Sequence, residues 1–278
     1  MTLGSALLLG FYDVFKKKAL KHNSVLWVLL GATALSALML SPCLTLGTPN
    51  QHLRLALKAV LVTTSWVSGM IGLKLLPITT VSMLKSSRPF LVVLFSILLF
   101  GEQLNAWQWG GIALALLAIT LLSVSSSREG ISFAHSKGVA AMVVSILSGV
   151  ASALYDNYIV KGMDALFVQS WSNVYITVIL AACILVKALR DGQEREKFHW
   201  DWMILVIAVF ITGADMLYFF SLKQEGALLS VISLMRRSSV IVTFIYGAIT
   251  FKENRVKQKA IDLVLLLIGM VFLLIGSE

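Results

Sequence analysis

Charged residues are scarce in this sequence. Asp, Glu, Lys and Arg make up 13% of the 278 residues, against about 25% in an ordinary soluble protein, while hydrophobic residues make up 58%. A membrane-crossing helix needs about 20 apolar residues, so ten such helices would use most of the chain and leave only short connections. The composition excludes a soluble enzyme, a nucleic-acid-binding protein and any sizeable extramembrane domain. It predicts an all-α integral membrane protein.

Residues that carry out chemistry are also few. The two cysteines, Cys43 and Cys183, both lie in apolar runs, which favours small core residues over a disulfide. The four histidines lie in or beside predicted loops. The sequence lacks HExxH, CxxC, GxSxG and the phosphate-binding GxxxxGK[ST]. We therefore expect no enzymatic activity, no cofactor, no metal site and no direct use of ATP.

Apolar segments separated by short polar stretches predict ten transmembrane helices. They cover about residues 2–20, 24–44, 54–74, 78–99, 105–125, 138–160, 166–188, 201–221, 227–250 and 258–276. A polar stretch in the middle of the chain divides them into two groups of five. We predict a first five-helix repeat over 1–125, a linker over 126–137 and a second repeat over 138–278.

The first predicted helix is short if it ends at Phe15, because Met1 to Phe15 spans only about 22 Å at 1.5 Å per residue. Either the helix continues through Lys16–Lys18, or the natural protein begins further upstream. The residues leave both alternatives open. No removable targeting sequence is recognised at this end.

The two halves contain matching motifs in the same order. The matches are Phe11-Tyr12-Asp13 with Leu154-Tyr155-Asp156, Leu73-Lys74 with Leu222-Lys223, Ser82, Lys85 and Ser87 with Ser233, Arg236 and Ser238, and Phe100-Gly101-Glu102 with Phe251-Lys252-Glu253. The spacing between partners grows only from 143 to 151 residues. Because five helices is an odd number, the second half would enter the membrane the opposite way round. Such inverted repeats are typical of secondary transporters that work by alternating access.

Seven charged residues lie deep in predicted helices, where each costs about 2.5–3.5 kcal/mol to insert. They are the carboxylates Asp13, Asp156 and Asp215 and the cations Lys85, Arg88, Arg236 and Arg237. If every carboxylate is paired, one cation remains for an anionic substrate. Structural ion pairs between helices are the alternative interpretation. The aspartates would balance charge or couple transport to protons, and Tyr12 and Tyr155 would donate hydrogen bonds to the substrate.

Predicted helix 4 should be interrupted. Pro89 has no N–H, so the carbonyl of Lys85 loses its usual partner and the helix should kink. Ser82 and Lys85 share a face with Pro89, and Ser233 and Arg236 repeat the pattern in predicted helix 9 without the proline. Glu102 and Glu253 precede predicted helices 5 and 10, where a carboxylate would stabilise the helix N-terminus.

The net charge of +9 comes mainly from basic residues at predicted helix ends, which suit lipid head groups. The expected partners are therefore membrane lipid and a small-molecule substrate, with no nucleic acid, and a homodimer is left open. The predicted location is the cell (inner) membrane, which the chain would cross many times. Loops on one side hold 15 Lys and Arg residues against 4 on the other, which places both termini outside.

The chain resembles the drug/metabolite transporter superfamily, with its closest likeness to bacterial EamA-type members. The likeness covers the whole chain and is best over residues 77–123, which read PITTVSMLKSSRPFLVVLFSILLFGEQLNAWQWGGIALALLAITLLS. The second half matches less well, with Lys-Glu for Gly-Glu and no proline after Arg236. The resemblance implies both termini in the cytoplasm, against the charge count, so the orientation stays open.

Within that superfamily, the plastid sugar-phosphate and nucleotide-sugar branch carries a lysine on helix 4 and a basic pair on helix 9 that hold phosphate. Lys85 and Arg236-Arg237 are similar in position, so the resemblance implies an anionic metabolite there. The leading hypothesis is a secondary transporter of a small polar anion, with Lys85 and Arg236 as the main contacts and Arg88 and Arg237 in support. The alternatives are a proton-coupled exporter of amino acids or drugs, and a lipid-linked flippase subunit or non-transporting membrane scaffold.

Overall fold

The structure is a computed structural model that describes residues 1–100, 105–127, 131–160, 162–190, 198–224, 229–251, 253 and 256–276. Over these residues all regular structure is helical, which confirms the all-α prediction. The helices are α1 (Thr2–Ala19), α2 (Val25–Met39), α3 (Pro49–Leu75), α4 (Ile78–Lys85), α5 (Arg88–Phe100), α6 (Ala106–Ser127), α7 (Lys137–Val160), α8 (Ala165–Arg190), α9 (Trp202–Leu222), α10 (Leu229–Arg237), α11 (Ser239–Phe251) and α12 (Val256–Ile275).

Seven segments of the described chain are long and apolar enough to cross a membrane. They are Pro49–Leu75, Ile78–Phe95, Ala106–Ser127, Lys137–Val160, Ala165–Arg190, Trp202–Leu222 and Val256–Ile275. The protein is therefore a membrane protein with many apolar helices. Ten membrane-crossing helices and the inverted repeat stay predictions.

Helix α1 continues through all three lysines and ends at Ala19, which is the first of the two alternatives that the sequence left open. The lysines make different contacts. Lys16 is 4% exposed and its ammonium lies 4.4 Å from the centre of the Tyr12 ring. Lys17 donates to the backbone carbonyls of Leu73 and Leu76, and so satisfies carbonyls at the C-terminus of α3 that have no partner within the helix.

Predicted helices 4 and 9 are each two helices. The first is interrupted between Lys85 and Arg88, as Pro89 predicts, and the second at Ser238. At both interruptions a serine hydroxyl donates to the carbonyl three residues earlier, from Ser87 to Leu84 and from Ser238 to Met235, each at 2.7 Å. Such local bonds compete with the helical pattern and favour a bend. The Ser238 hydroxyl bond therefore accompanies the second interruption, where no proline is present.

Helices of the two halves pack against each other rather than in separate bundles. Helix α3 packs along α7, α1 along α9, α2 along α8 and α6 along α12. The last pair is close, since a Cβ added to Gly111 would lie 2.7 Å from the carbonyl oxygen of Gly269. The first helix of each half thus lies against the third helix of the other. This is the pairing expected of two-fold-related halves.

Glu253 stabilises a different helix from the one expected. Its carboxylate accepts hydrogen bonds from the backbone N–H groups of Ile78 and Thr79, at 2.6 and 3.1 Å, and from the Thr79 hydroxyl at 2.5 Å. The residue therefore caps α4 in the other half, where the positive end of the helix dipole attracts a carboxylate. Its own α12 begins three residues later, so the prediction was wrong about which helix is capped. Glu102 lies outside the described residues.

Candidate functional site

Two adjoining chambers lie between the helices, each with a volume of about 110 Å³. One contains Asp13 and is called the Asp13 chamber; the other contains Asp156 and is called the Asp156 chamber. Their common wall is formed by residues of four helices, and these are Ser65, Trp66, Arg88, Asp215, Arg236 and Arg237. The helix interruptions place Arg88 at the start of α5 and Arg237 at the end of α10. Both interruptions therefore lie beside the cavity.

In the Asp13 chamber one carboxylate lies near two ammonium groups. Lys85 Nζ donates to Asp13 Oδ1 at 2.7 Å, and Lys16 Nζ lies 3.9 Å from the same oxygen. The hydroxyl-bearing ring of Tyr12, which is 6% exposed, lies beneath Lys16 and contributes a cation–π contact. A carboxylate shared by two cations leaves local positive charge.

The Asp156 chamber contains an ion pair that the sequence analysis missed. Lys58 of α3 donates to the Asp156 carboxylate of α7, and the two side chains are 4% and 8% exposed. The Lys58 ammonium also lies 5.0 Å from the centre of the Phe219 ring. Lys58 was counted only among the four basic residues on the less basic side of the membrane. Only the earlier start of α3, at Pro49, places it two and a half turns inside the helix.

The common wall contains a third ion pair. Arg236 donates to Asp215 of α9, and its guanidinium lies 4.2 Å from the centre of the Tyr218 ring. Their side chains are 13% and 19% exposed. Both residues were predicted site residues, and the structure brings them together.

Arg88 has hydrogen-bond partners but no carboxylate among the described residues. Its Nη2 donates to Ser65 Oγ at 3.0 Å, to the Ser145 carbonyl at 2.9 Å and to Ser145 Oγ at 3.2 Å. A Cβ added to Gly149 would lie 2.5–2.7 Å from three atoms of the guanidinium group. The Arg88 guanidinium group can therefore lie in this wall only because residue 149 is a glycine.

Arg237 makes no hydrogen bond and no ion pair within the described chain, although it lines both chambers. The Nε atoms of Arg88, Arg236 and Arg237 are all buried without a hydrogen-bond partner in this part of the chain. Buried donors of charged groups are costly when they remain unsatisfied. The wall therefore presents guanidinium donors to the cavity.

Charges around the two chambers do not balance. The described lining holds six cations, Lys16, Lys58, Lys85, Arg88, Arg236 and Arg237, and three carboxylates, Asp13, Asp156 and Asp215. Each carboxylate already has a basic partner, so the surplus is positive. Anions are the ligands that such a cavity stabilises.

The family model of the EamA-like transporter family matches residues 1–124 and 136–275. The chain belongs to the EamA-like transporter family. Its members are membrane transporters of small molecules, not enzymes. A solved crystal structure, described only as that of a protein, is similar with a TM-score of 0.66 and 15% identity over 98% of both chains; at that identity it supports the fold alone. No curated protein sequence matches the chain.

One predicted contact of this EamA-family chain lies elsewhere. Tyr155 is absent from the described walls of both chambers, and its ring stacks on Tyr158 with centroids 6.3 Å apart. Asp156 faces Lys58, and neighbouring residues of a helix point about 100° apart, so Tyr155 faces away from the ion pair. The structure places Tyr155 outside both described chamber walls, and we leave it out of the proposed contacts.

No group of three or more His, Cys, Asp or Glu residues suited to a metal ion occurs among the described residues. The cavity lining of this transporter is instead basic, hydroxyl-bearing and amide-bearing. Three lining residues on α8 were not singled out in the sequence: Gln169, Ser172 and Asn173. They lie inside an apolar segment, where their polarity was the available signal.

Proposed function

We propose that the protein is a secondary transporter that moves a small polar anion across the cell (inner) membrane by alternating access. The observation that carries this proposal is the pair of arginines, Arg88 and Arg237, that line both chambers without a carboxylate partner among the described residues. A guanidinium group binds carboxylate or phosphate through paired charge-assisted hydrogen bonds. An anion in the cavity would therefore satisfy donors that have no other acceptor.

The ion pairs in the described chain support the following roles. Arg88 and Arg237 bind the anion first, because their charges are not engaged by a carboxylate in this part of the chain. Lys85 and Arg236, which have Asp13 and Asp215 as partners, contact the substrate by sharing those interactions with it. The three aspartates reduce the positive charge of the cavity when it holds no anion, and Tyr12 donates a hydrogen bond in the Asp13 chamber.

The interrupted helices support alternating access. Half-helices that end at a central cavity are a feature of inverted-repeat transporters, in which one group of helices rocks against the other. Here both interruptions lie next to the arginines of the common wall. A change in the angle between α4 and α5, or between α10 and α11, would move a binding arginine together with the backbone that controls access. Energy would come from a solute gradient or from exchange.

Uptake into proteoliposomes tests this function. Anionic, neutral and cationic metabolites are screened as competitors, and Arg88→Gln and Arg237→Gln are compared with Lys223→Gln, a cation on an exposed ion pair outside the cavity. Losing a hydrogen bond to a charged group costs about 1.5–3 kcal/mol. We therefore expect each arginine variant to lower the apparent affinity for the anion by about 10- to 100-fold, with the Lys223 variant unchanged.

Other results would contradict the proposal. If no anion competes and both arginine variants transport normally, the cations are structural. Efflux that collapses with the proton gradient and depends on Asp215 would indicate a proton-coupled exporter of amino acids or drugs. An activity that requires a lipid-linked sugar would indicate a flippase subunit.

A further inference from the structure

One face of α8 brings two polar side chains to the Asp156 chamber with unsatisfied hydrogen-bonding atoms. Gln169 and Ser172 lie one turn apart and are 2% and 4% exposed. Gln169 Oε1 and Ser172 Oγ are buried and have no hydrogen-bond partner in the described chain. Burying a polar atom unsatisfied costs about 1–3 kcal/mol. Two such atoms, one turn apart on a helix that lines a cavity, suit a polar ligand group.

The orientation of the Gln169 amide is set by its neighbour on α9. Gln169 Nε2 donates to the Thr212 carbonyl oxygen at 2.8 Å. Only the NH₂ end of the amide can make this bond, because two carbonyl oxygens would repel each other. The Oε1 atom is therefore the end left for the ligand. It is an acceptor and accepts only from a donor.

A chain of hydrogen bonds keeps this face of α8 in place. Asn173 Nδ2 donates to Ser36 Oγ at 2.9 Å, and Ser36 Oγ lies 2.6 Å from Thr212 Oγ1. The Thr212 hydroxyl proton is directed to the Ala208 carbonyl at 2.7 Å, so Ser36 must donate to Thr212. Helices α2, α8 and α9 are joined by this network. Gln169 is thus held in position before any ligand binds.

We propose that Gln169 and Ser172 form a second subsite, which binds a hydroxyl group of the transported anion and so makes the substrate a hydroxylated anion. The inference rests on the proposed function. A substrate hydroxyl would donate to Gln169 Oε1, and the Ser172 hydroxyl would donate to or accept from the same group. An ammonium is disfavoured as the donor, because the described wall of this chamber holds four cations, Lys58, Arg88, Arg236 and Arg237, against Asp156 and Asp215.

Pairs of anions that differ by one group test the subsite. Malate with succinate, lactate with propionate, and 2-hydroxypropyl phosphate with propyl phosphate are compared as competitors of uptake and as ligands that raise the melting temperature of the detergent-solubilised protein. Aspartate and alanine serve as the amino analogues of malate and lactate. A site built to bind a hydroxyl rejects the analogue that lacks it, so the hydroxylated member of at least one pair should bind about 10-fold more tightly.

Variants then assign that preference to α8. Gln169→Met removes the acceptor at similar volume, and Ser172→Ala removes one hydroxyl without disturbing the bond to Thr212. Both should lower the preference for the hydroxylated member to about twofold or less and leave binding of the deoxy anion unchanged. Gln258→Met, at an exposed glutamine of α12, should retain it. If Gln169→Met does not fold, Ser172→Ala alone decides the result.

The outcomes separate this inference from the proposed function. If anions bind but each hydroxylated member equals its deoxy partner, the subsite assignment is overturned and anion transport stands. A preference for aspartate or alanine over the hydroxy acids overturns the assignment in favour of an ammonium donor. If no anion binds at all, the proposed function itself fails.

Discussion

Asp13 and Asp156 occupy matching positions in the two halves of the chain, but they have different partners. Asp13 pairs with Lys85 of its own half, at 2.7 Å. Asp156 pairs with Lys58, which belongs to the other half. The counterpart of Lys85 is Arg236, and Arg236 pairs with Asp215 instead. One repeated pattern of residues therefore gives two different sets of ion pairs.

Two charges without counterparts account for the difference. At the spacing of 149 residues, Lys58 corresponds to Ile207 and Asp215 corresponds to Trp66. The first half thus has an extra cation, Lys58, and the second half an extra carboxylate, Asp215. Because Lys58 pairs with Asp156 and Asp215 pairs with Arg236, Asp156 and Arg236 do not pair with each other as Asp13 and Lys85 do. Related backbones can place charges at similar depths while the partners change. The two chambers should therefore bind different parts of a substrate.

The largest expected effect separates the two aspartate pairs. Lys58→Met removes the ion-pair partner of the Asp156 carboxylate, which is 8% exposed, and breaking such a buried pair costs about 3–5 kcal/mol. Lys85→Met should cost less, because Asp13 keeps Lys16 at 3.9 Å and is 15% exposed. Unfolding free energies of the two variants in the same detergent measure the comparison.

Adding Asp156→Leu to Lys58→Met is the control, since it removes the stranded carboxylate and should recover most of the lost stability. An equal or greater loss for Lys85→Met than for Lys58→Met would show that Lys16 does not compensate. The two aspartates would then be equivalent.

The next effect concerns the space that Arg88 occupies. Gly149→Ala places a Cβ within 2.5–2.7 Å of its guanidinium group, so the flexible side chain must move away from Ser65 and Ser145. We expect uptake affinity to fall about 10-fold, from the loss of charge-assisted bonds, with little change in melting temperature. Gly213→Ala on α9 is the control, since its Cβ would meet only a leucine methyl at 3.3 Å. Unchanged transport by Gly149→Ala would remove Arg88 from the binding site.

The sequence was sufficient to predict an all-helical membrane protein, but it did not predict which charged residues pair. Apolar periodicity identified the helices, the scarcity of charge identified Asp13, Lys85, Arg88 and Arg236 as unusual, and Pro89 identified the first interruption. The partner of Asp156 depends on how α3 packs along α7, which is a long-range contact that no local pattern encodes. Lys58 was missed for that reason, together with the uncertain start of its helix.

The second interruption was missed because its signal is weaker. Pro89 removes a backbone donor, whereas Ser238 only offers the backbone an alternative bond. The capping of α4 by Glu253 was missed on similar grounds, since a carboxylate can stabilise the N-terminus of any helix that packs near it.

A smaller effect tests the two interruptions against each other. Ser238→Ala removes the hydroxyl that bonds to Met235, and no proline keeps the helix interrupted there. Ser87→Ala should change little, because Pro89 still prevents a continuous helix. We expect slower hydrogen exchange around Ser238 in its variant, and no comparable change around Ser87. Equal changes in hydrogen exchange at both sites would contradict this expectation, because they would show that Pro89 does not keep the first interruption in place without Ser87.

The smallest effect concerns an ion pair outside the apolar segments that are long enough to cross a membrane. Lys223 donates to Asp164 at 3.0 Å, and this hydrogen bond lowers the pKa of the Asp164 carboxyl below its usual range. A lowered folded-state pKa adds stability above the unfolded pKa, and that stability is lost as the pH falls through the folded value. The pair is exposed, at 49% and 60%, so Lys223→Gln should leave the melting temperature nearly unchanged at neutral pH. A large decrease in melting temperature would show that the Lys223–Asp164 ion pair contributes more stability than its exposure suggests.

Ligand-induced stabilisation of the purified protein shows whether the common wall binds anions. The melting temperature of the purified protein is measured with carboxylates, phosphates, their neutral isosteres and organic cations, for the natural sequence, for Arg88→Gln combined with Arg237→Gln, and for Lys223→Gln. We expect at least one class of anion to stabilise the natural sequence and Lys223→Gln, and the double variant to lose this effect. Stabilisation by neutral or cationic ligands alone, or anion binding that survives in the double variant, would contradict this expectation.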